Sequence, residues 1–201
     1  MSSVEFKDRV AIVTGAGGGL GRSHALALAA RGVKVVVNDL GGSVDGTGGS
    51  ETMAEKVVAE IIAAGGEAIA NGANVTNESE VQAMVDETIA KWGKVDILVN
   101  NAGILRDKSF SKMTLADWDL VVAVHLKGSA VCTKAVWNHM KENTYGRIVM
   151  TTSSSGMYGI SARRITARPR QDYPALCARS VWKARNMISA SMCSRPRHGP
   201  A

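Results

Sequence analysis

The sequence of 201 residues has few cysteines, no long apolar run and no apolar signal core. Three cysteines are an odd and sparse set, which excludes a disulfide framework and favours reduced intracellular thiols. No stretch approaches the roughly 18 apolar residues of a membrane-spanning helix. The N-terminus MSSVEFKDRV is polar, and the last residues, Gly-Pro-Ala, do not resemble a Ser-Lys-Leu peroxisomal signal. We therefore expect a cytoplasmic protein without a membrane partner.

Proline is absent from residues 1–159, whereas residues 160–201 contain all four prolines. Charge changes at the same place: the formal net charge of +6 divides into −2 for residues 1–159 and +8 for residues 160–201. The basic tail has eight arginines but few interleaved aromatic residues, so we do not expect nucleic-acid binding. The composition predicts one domain over 1–159 and an aberrant, disordered Arg/Pro-rich tail over 160–201.

Short β-branched runs alternate with helical patterns along residues 1–159. This alternation predicts a parallel α/β sheet with helices packed on both faces. The expected strands lie within 9–15, 33–39, 67–75, 95–103 and 147–154. The expected helices follow the first glycine loop and cover 51–64, 78–93 and, as one long helix, 114–143.

A glycine-rich loop joins the first strand to the first helix. It has the spacing TGxxxGxG, with Thr14 and Gly15 at its start and Gly19, Leu20 and Gly21 at its end. Missing Cβ atoms let the backbone approach a pyrophosphate, whose charge is stabilised at a helix N-terminus. An ordinary glycine turn between a strand and a helix is the alternative interpretation.

Asp39 ends the second strand, 24 residues after Gly15. A carboxylate at this position can accept hydrogen bonds from ribose hydroxyls and repel a 2′-phosphate, which favours NAD over NADP. The alternative is a loop carboxylate with no ligand.

Small and polar residues follow the fourth and fifth strands. Asn101, Ala102 and Gly103 leave room for a flat ring, and Ser153 would point into the same crevice. Ligands of open α/β sheets bind at these carboxyl ends. Taken alone, each segment also fits an ordinary Asn/Gly or serine-rich turn.

Together these motifs resemble the short-chain dehydrogenase/reductase family, over residues 5–159. The resemblance implies a Rossmann-type doubly wound sheet in three α/β/α layers, a nicotinamide cofactor and a Ser-Tyr-Lys catalytic set. Ser153 matches the family serine, which hydrogen-bonds the reacting oxygen. Family members are usually homo-oligomers, an expectation that the aberrant tail weakens for this chain.

Four segments resemble one branch of the family more closely: NDLGGS, NNAGILRDKSF, VHLKGS and YGRIVMTTSSSGMYG. This branch contains the (3R)-hydroxyacyl-CoA dehydrogenase domains of peroxisomal multifunctional enzymes and bacterial single-domain relatives. It implies a 3-hydroxyacyl-CoA substrate and an adenine-contacting pair, Asn74 and Val75. His125 occupies the slot of an active-site Asn in many members, although a packed helix histidine is the alternative. The remaining histidines have no ligand spacing, so we expect no metal.

The family motif Tyr-x-x-x-Lys is absent from the sequence. Tyr145, Tyr158 and Tyr173 are followed four residues later by Val, Ala and Cys, and Lys183 is preceded four residues earlier by Arg. Since that tyrosine transfers the proton at the substrate oxygen, we expect NAD binding with little or no turnover. A non-catalytic NAD-binding module is therefore the alternative function.

The genetic code offers a reason for the missing motif. With suitable codons, one base added after codon 159 converts the following sequence to GNLGQANYCPAKTG, with tyrosine at position 166 and lysine at position 170. The tyrosine would then lie 13 residues after Ser153, as in the family. We hypothesise that residues 160–201 result from a one-base deletion, which also removes the later strands of the fold.

Overall fold

A computed structural model of the chain describes residues 5–41, 52–106 and 112–152. Within these ranges five strands form a single sheet in the order β3-β2-β1-β4-β5, and every neighbouring pair is parallel. The predicted Rossmann-type α/β fold is confirmed. Ser153 and the predicted tail 160–201 lie outside the described residues. The strands are β1 Val10–Thr14, β2 Lys34–Asn38, β3 Ala68–Asn71, β4 Ile97–Asn100 and β5 Arg147–Met150.

Among the described residues, five α-helices lie in the connections between these strands, and local signals fix several of their ends. The Asn77 side chain accepts hydrogen bonds from the amides of Ser79 and Glu80, and left-handed Gly93 ends the same helix. Thr114 and Asp117 form a capping box. The helices are α1 Gly19–Ala29, α2 Thr52–Ala63, α3 Glu78–Trp92, α4 Leu115–Val122 and α5 Gly128–Glu142.

The sheet is the middle of three layers, because alternate residues of each strand enter different cores. In β1, Ala11 and Val13 pack with helices α1 and α2, whereas Ile12 packs with α3 and α5. The second core contains Cys132, where desolvation raises the pKa of the thiol to about 12. That thiol is therefore an apolar packing group at neutral pH.

The single helix predicted over 114–143 is corrected by the structure. A π-helical turn, Ala123–Lys127, separates α4 from α5. Apolar periodicity predicts that the segment is helical. It does not distinguish a π-helical turn, with hydrogen bonds between residues i and i+5, from an α-helical one. By length and composition alone, Leu115–Glu142 is also apolar enough to cross a membrane. Core helices pass that test too, and α5 buries Val131, Val136 and Met140 against the sheet.

Candidate cofactor site

A crevice of about 490 Å³ opens at the carboxyl ends of the strands. Its walls come from the loops after β1, β2, β3 and β4, from the start of α2 and from the α4–π-turn segment. Among the described lining residues, Asp39 is the one ionisable side chain. The lining residues are Gly15, Gly17, Gly18, Gly19, Asn38, Asp39, Leu40, Met53, Ala73, Asn74, Val75, Thr76, Asn101, Ala102, Gly103, Ile104, Leu120 and Val124.

The glycine loop packs against the strand ends without space for side chains. A Cβ atom on Gly21 would lie 2.0 Å from the carbonyl oxygen of Gly15 and 2.5 Å from Asn101 Nδ2. Gly18 is the N-cap of α1 and contributes no side-chain cap to its first turn. The first-turn amides therefore face the crevice end of α1 without a capping side chain, as an anion-binding helix terminus requires.

Buried and partly buried hydrogen bonds tie the end of β1 to the end of β4. Thr14 Oγ1 accepts from the amides of Asn101 and Ala102, at 3.0 Å each, and donates to the Val99 carbonyl at 3.3 Å. Asn101 Nδ2 donates to the carbonyl oxygens of Thr14 and Gly15, at 3.0 Å each. Thr14 is only 1% exposed, so its hydroxyl positions the crevice floor from below.

Both carboxylate oxygens of Asp39 accept backbone hydrogen bonds. Oδ2 accepts from the Gly17 amide and Oδ1 from the Gly41 amide, both at 2.8 Å. Each oxygen retains a lone pair for a further donor such as a hydroxyl group. The carboxylate is thereby held at the crevice wall beside the glycine loop.

Amide side chains also shape the wall beyond Asp39. Asn38 is 1% exposed, and its Nδ2 donates to the Ala73 carbonyl at 2.9 Å, which joins β2 to the loop after β3. In that loop, Asn74 Oδ1 accepts from the amide and hydroxyl of Thr76. The predicted pair Asn74 and Val75 is thus presented on a fixed turn along the crevice.

The π-turn places His125 behind Ile104, a residue that lines the crevice. The imidazole is 1% exposed, and its Nε2 lies 3.0 Å from the amide nitrogen and 2.8 Å from the carbonyl oxygen of Ile104. Depending on its tautomer, Nε2 accepts from the first or donates to the second. Ile104 lines the crevice, so His125 fixes a wall residue.

The structure brings most of the predicted cofactor residues together along the crevice. Thr14 and Gly21 lie beneath it, and Leu20 is 57% exposed outside the described lining. Ser153 lies outside the described residues. Sequence reasoning gave no cofactor role to Gly17, Gly18, Asn38, Leu40, Met53, Ala73, Thr76, Ile104, Leu120 or Val124. Leu40 and Ile104 could have been predicted, because they directly follow Asp39 and Gly103 in the sequence. Met53 lies in α2, and no sequence pattern links it to the crevice.

The short chain dehydrogenase family model matches residues 9–164. The chain belongs to this family of oxidoreductases, as the sequence motifs predicted.

Two curated relatives have names that agree with the closer resemblance. Peroxisomal multifunctional enzyme A of Dictyostelium discoideum is 58% identical over 157 residues, which are 78% of this chain and 35% of the relative. Peroxisomal multifunctional enzyme type 2 of Mus musculus is 52% identical over 158 residues, which are 79% of this chain and 21% of the relative. The chain therefore spans about a third or less of these relatives.

A solved structure shows the same fold. The short chain dehydrogenase from Mycobacterium avium superposes with a TM-score of 0.80 at 39% identity, covering 92% of this chain and 66% of that chain. Sequence and structural comparisons thus agree on the family.

Proposed function

We propose that the crevice binds NAD(H) and that this chain descends from an NAD-dependent dehydrogenase acting on a 3-hydroxyacyl-CoA. The observation that carries this proposal is the placement of three motifs along one crevice. The glycine loop, Asp39 and the segment 101–103 all lie at the carboxyl ends of neighbouring strands. This is where ligands of open α/β sheets bind.

The residues present fit a dinucleotide. The backbone at Gly18 and the first turn of α1 would hold the diphosphate, since no capping side chain covers this turn and no described atom lies within 4 Å of a Cβ placed on Gly18. Asp39 would accept hydrogen bonds from the adenosine ribose, and Asn74 and Val75 would contact adenine. Ala102 and Gly103 leave room for a flat ring at the other end. The absence of basic residues from the described lining favours NAD over NADP.

The proposed acyl thioester substrate rests on the names of relatives. A 3-oxoacyl-[acyl-carrier-protein] reductase of Synechocystis is 50% identical over 151 residues, which are 75% of this chain and 58% of the relative. A second relative, the peroxisomal hydratase-dehydrogenase-epimerase of Saccharomyces cerevisiae, is 49% identical over 157 residues. Its name states a dehydrogenase activity. We propose that the protein is located in the cytoplasm, which subcellular fractionation would test.

Bound nicotinamide would supply the hydride chemistry of such a dehydrogenase. Ser153 would hydrogen-bond the reacting oxygen, but the chain has no Tyr-x-x-x-Lys to transfer its proton. The absence of that motif favours a second candidate function, a non-catalytic NAD-binding module, for the 201-residue chain itself. Under both functions Asp39 and the glycine loop hold the cofactor.

NADH fluorescence titration of the 201-residue chain tests the binding proposal. We expect saturable enhancement, and Asp39→Ala should weaken binding about tenfold because two ribose hydrogen bonds are lost. Asp86→Ala removes an exposed carboxylate on α3 and should leave the Kd unchanged. A chain that is folded by circular dichroism but binds no NADH contradicts the proposal.

Turnover distinguishes the two candidate functions. We expect no NADH production from NAD and a 3-hydroxyacyl-CoA by the 201-residue chain. A gene with one base added after codon 159 should encode an active enzyme. Turnover by the original chain at ordinary enzyme rates contradicts the need for the missing tyrosine. A gene sequence across codons 157–165 that excludes the restored reading contradicts the deletion hypothesis.

A further inference from the structure

Met53 reaches the crevice from α2, at the same point as Asp39. A Cβ atom on Gly17 would lie 2.8 Å from Asp39 Cγ and 2.9 Å from Met53 Cβ. Glycine at position 17 therefore allows Asp39 and Met53 to pack together against the loop. The three residues form one corner of the crevice, which we call the Asp39 corner.

Met53 offers apolar surface to whatever occupies this corner. Its side chain lines the crevice and is 43% exposed, whereas Val57 and Ile61 of the same helix are buried in the core. Leu40, 48% exposed, lines the same crevice. Large exposed apolar side chains beside a single carboxylate suit a ligand that carries hydroxyl groups and a flat aromatic ring, as a nucleoside does.

With Asp39 in place, the described residues of the Asp39 corner offer no spare group for a phosphate. The Gly17 amide already donates to Asp39, and a methionine thioether is at most a weak acceptor. A phosphate monoester needs cationic or N–H donors, which neither residue supplies. Removing the Asp39 charge would free the Gly17 amide but would supply no cation among the described lining residues, and Met53 would still narrow the corner.

We propose that Met53 is a second cofactor-specificity residue, which packs on the adenosine ribose of NAD(H) and disfavours a 2′-phosphate because it occupies space and supplies no cationic donor. This inference rests on the proposed function. It separates two contributions to specificity, the charge of Asp39 and the apolar wall of Met53. A change at Asp39 alone is then insufficient to admit NADPH, whereas Asp39→Ser combined with Met53→Arg admits it.

Titrations of the 201-residue chain with NADH, ADP-ribose and reduced nicotinamide mononucleotide test the apolar contact. Met53→Ala should weaken NADH and ADP-ribose to the same extent, about three- to tenfold, and leave the mononucleotide unchanged. Ile62→Ala is the matched control, because Ile62 is an exposed residue of the same helix outside the described lining. It should change none of the three affinities.

Titrations with NADPH test the exclusion. We expect weak NADPH binding by Asp39→Ser and at least about tenfold tighter binding by the double variant with Met53→Arg. The inference about Met53 is wrong if Met53→Ala binds NADH as tightly as the wild type, or if Asp39→Ser and the double variant bind NADPH equally. Either outcome leaves the proposed function intact. A folded wild-type chain that binds no NADH overturns the proposed function and this inference with it. Thermal unfolding of each variant identifies losses caused by misfolding.

Discussion

At the amino end of the sheet, charged side chains bridge neighbouring strands, whereas at the carboxyl end neutral amides and a hydroxyl do so. Arg9 before β1 pairs with Asp96 before β4 at 2.7 Å, and the Val10 amide donates to the same carboxylate. The Tyr145 ring lies under the guanidinium groups of Arg9 and Arg147, 3.6 and 4.7 Å from its centroid. Cation–π contacts and ion pairs thus close that end.

The carboxyl end leaves an opening instead. Its ties run mostly from short side chains to backbone groups, as from Asn38 to Ala73 and from Asn101 to Gly15. These bonds provide hydrogen-bond partners for backbone groups at the strand ends, and the short side chains leave the space beyond the strands open. The comparison indicates that the amino end contributes stability and that the carboxyl end positions backbone for a ligand. The following predictions test this division.

The largest effect is expected from Gly21→Ala at the carboxyl end. The added methyl group would lie 2.0 Å from the Gly15 oxygen, so the loop must move or the domain must unfold. We expect a loss of about 3 kcal/mol or more in unfolding free energy, together with loss of NADH binding. Gly18→Ala is the control for stability only, because no described atom lies within 4 Å of the place that its added methyl group would take, but Gly18 itself lines the crevice. Chemical denaturation and NADH titration measure both.

Asp96→Ala should have the next largest effect, on stability alone. The carboxylate is 4% exposed, and its loss leaves Arg9 and the Val10 amide without their partner. We expect about 2–3 kcal/mol of destabilisation with an unchanged Kd for NADH. Lys94→Ala removes a more exposed partner, 3.5 Å from the same carboxylate, and should cost much less. If folded Asp96→Ala also bound NADH more weakly, the amino end of the sheet would contribute to ligand binding as well as to stability, which contradicts the proposed difference between the two ends.

Thr14→Val should affect both properties moderately. The substitution preserves the shape of the side chain but leaves the Asn101 and Ala102 amides without their acceptor. We expect about 1–2 kcal/mol of destabilisation and a roughly fivefold weaker Kd for NADH. Thr14→Ser keeps the hydroxyl and should restore most of the affinity. Weak NADH binding by Thr14→Ser at wild-type stability would show that the hydroxyl is not what positions the floor.

The smallest expected effect concerns pH at the amino end. Trp92 Nε1 donates to Glu67 at 2.5 Å and lowers the pKa of that carboxyl below its ordinary value, with further lowering by Lys34. Because the folded-state pKa is lowered, this stabilisation is present above the unfolded pKa and is lost as pH falls through the folded value. The carboxylate is largely exposed, so solvent screening limits the contribution to a few tenths of a kcal/mol.

Trp92→Phe should therefore cost slightly more stability near pH 6 than near pH 3, as measured by urea denaturation. In a Glu67→Gln background the cost of Trp92→Phe should be independent of pH. A pH dependence that persists in that background would assign it to another carboxylate.

The sequence predicts the strands and most of the crevice because both follow from local patterns. The β-branched runs ending in Gly15, Asp39 and Gly103 mark three strand ends that parallel pairing must bring together. Spacing did not reveal that Thr14 acts from beneath the floor, because its partners lie 87 and 88 residues away. The contact of His125 with Ile104 joins residues 21 positions apart in the chain, and the place of Met53 in the crevice depends on how α2 packs.

The strand order also governs when the crevice comes into existence. Pairing of β1 with β4 joins parts of the chain about 86 residues apart, as the Val10–Asp96 hydrogen bond shows. Contacts so distant in the chain carry a large loop-closure entropy and tend to form late in folding. On the ribosome, the glycine loop emerges long before the segment that completes its floor. A ligand of the crevice therefore binds only after the domain has folded. It stabilises the folded domain by mass action and has no effect on the earlier steps of folding.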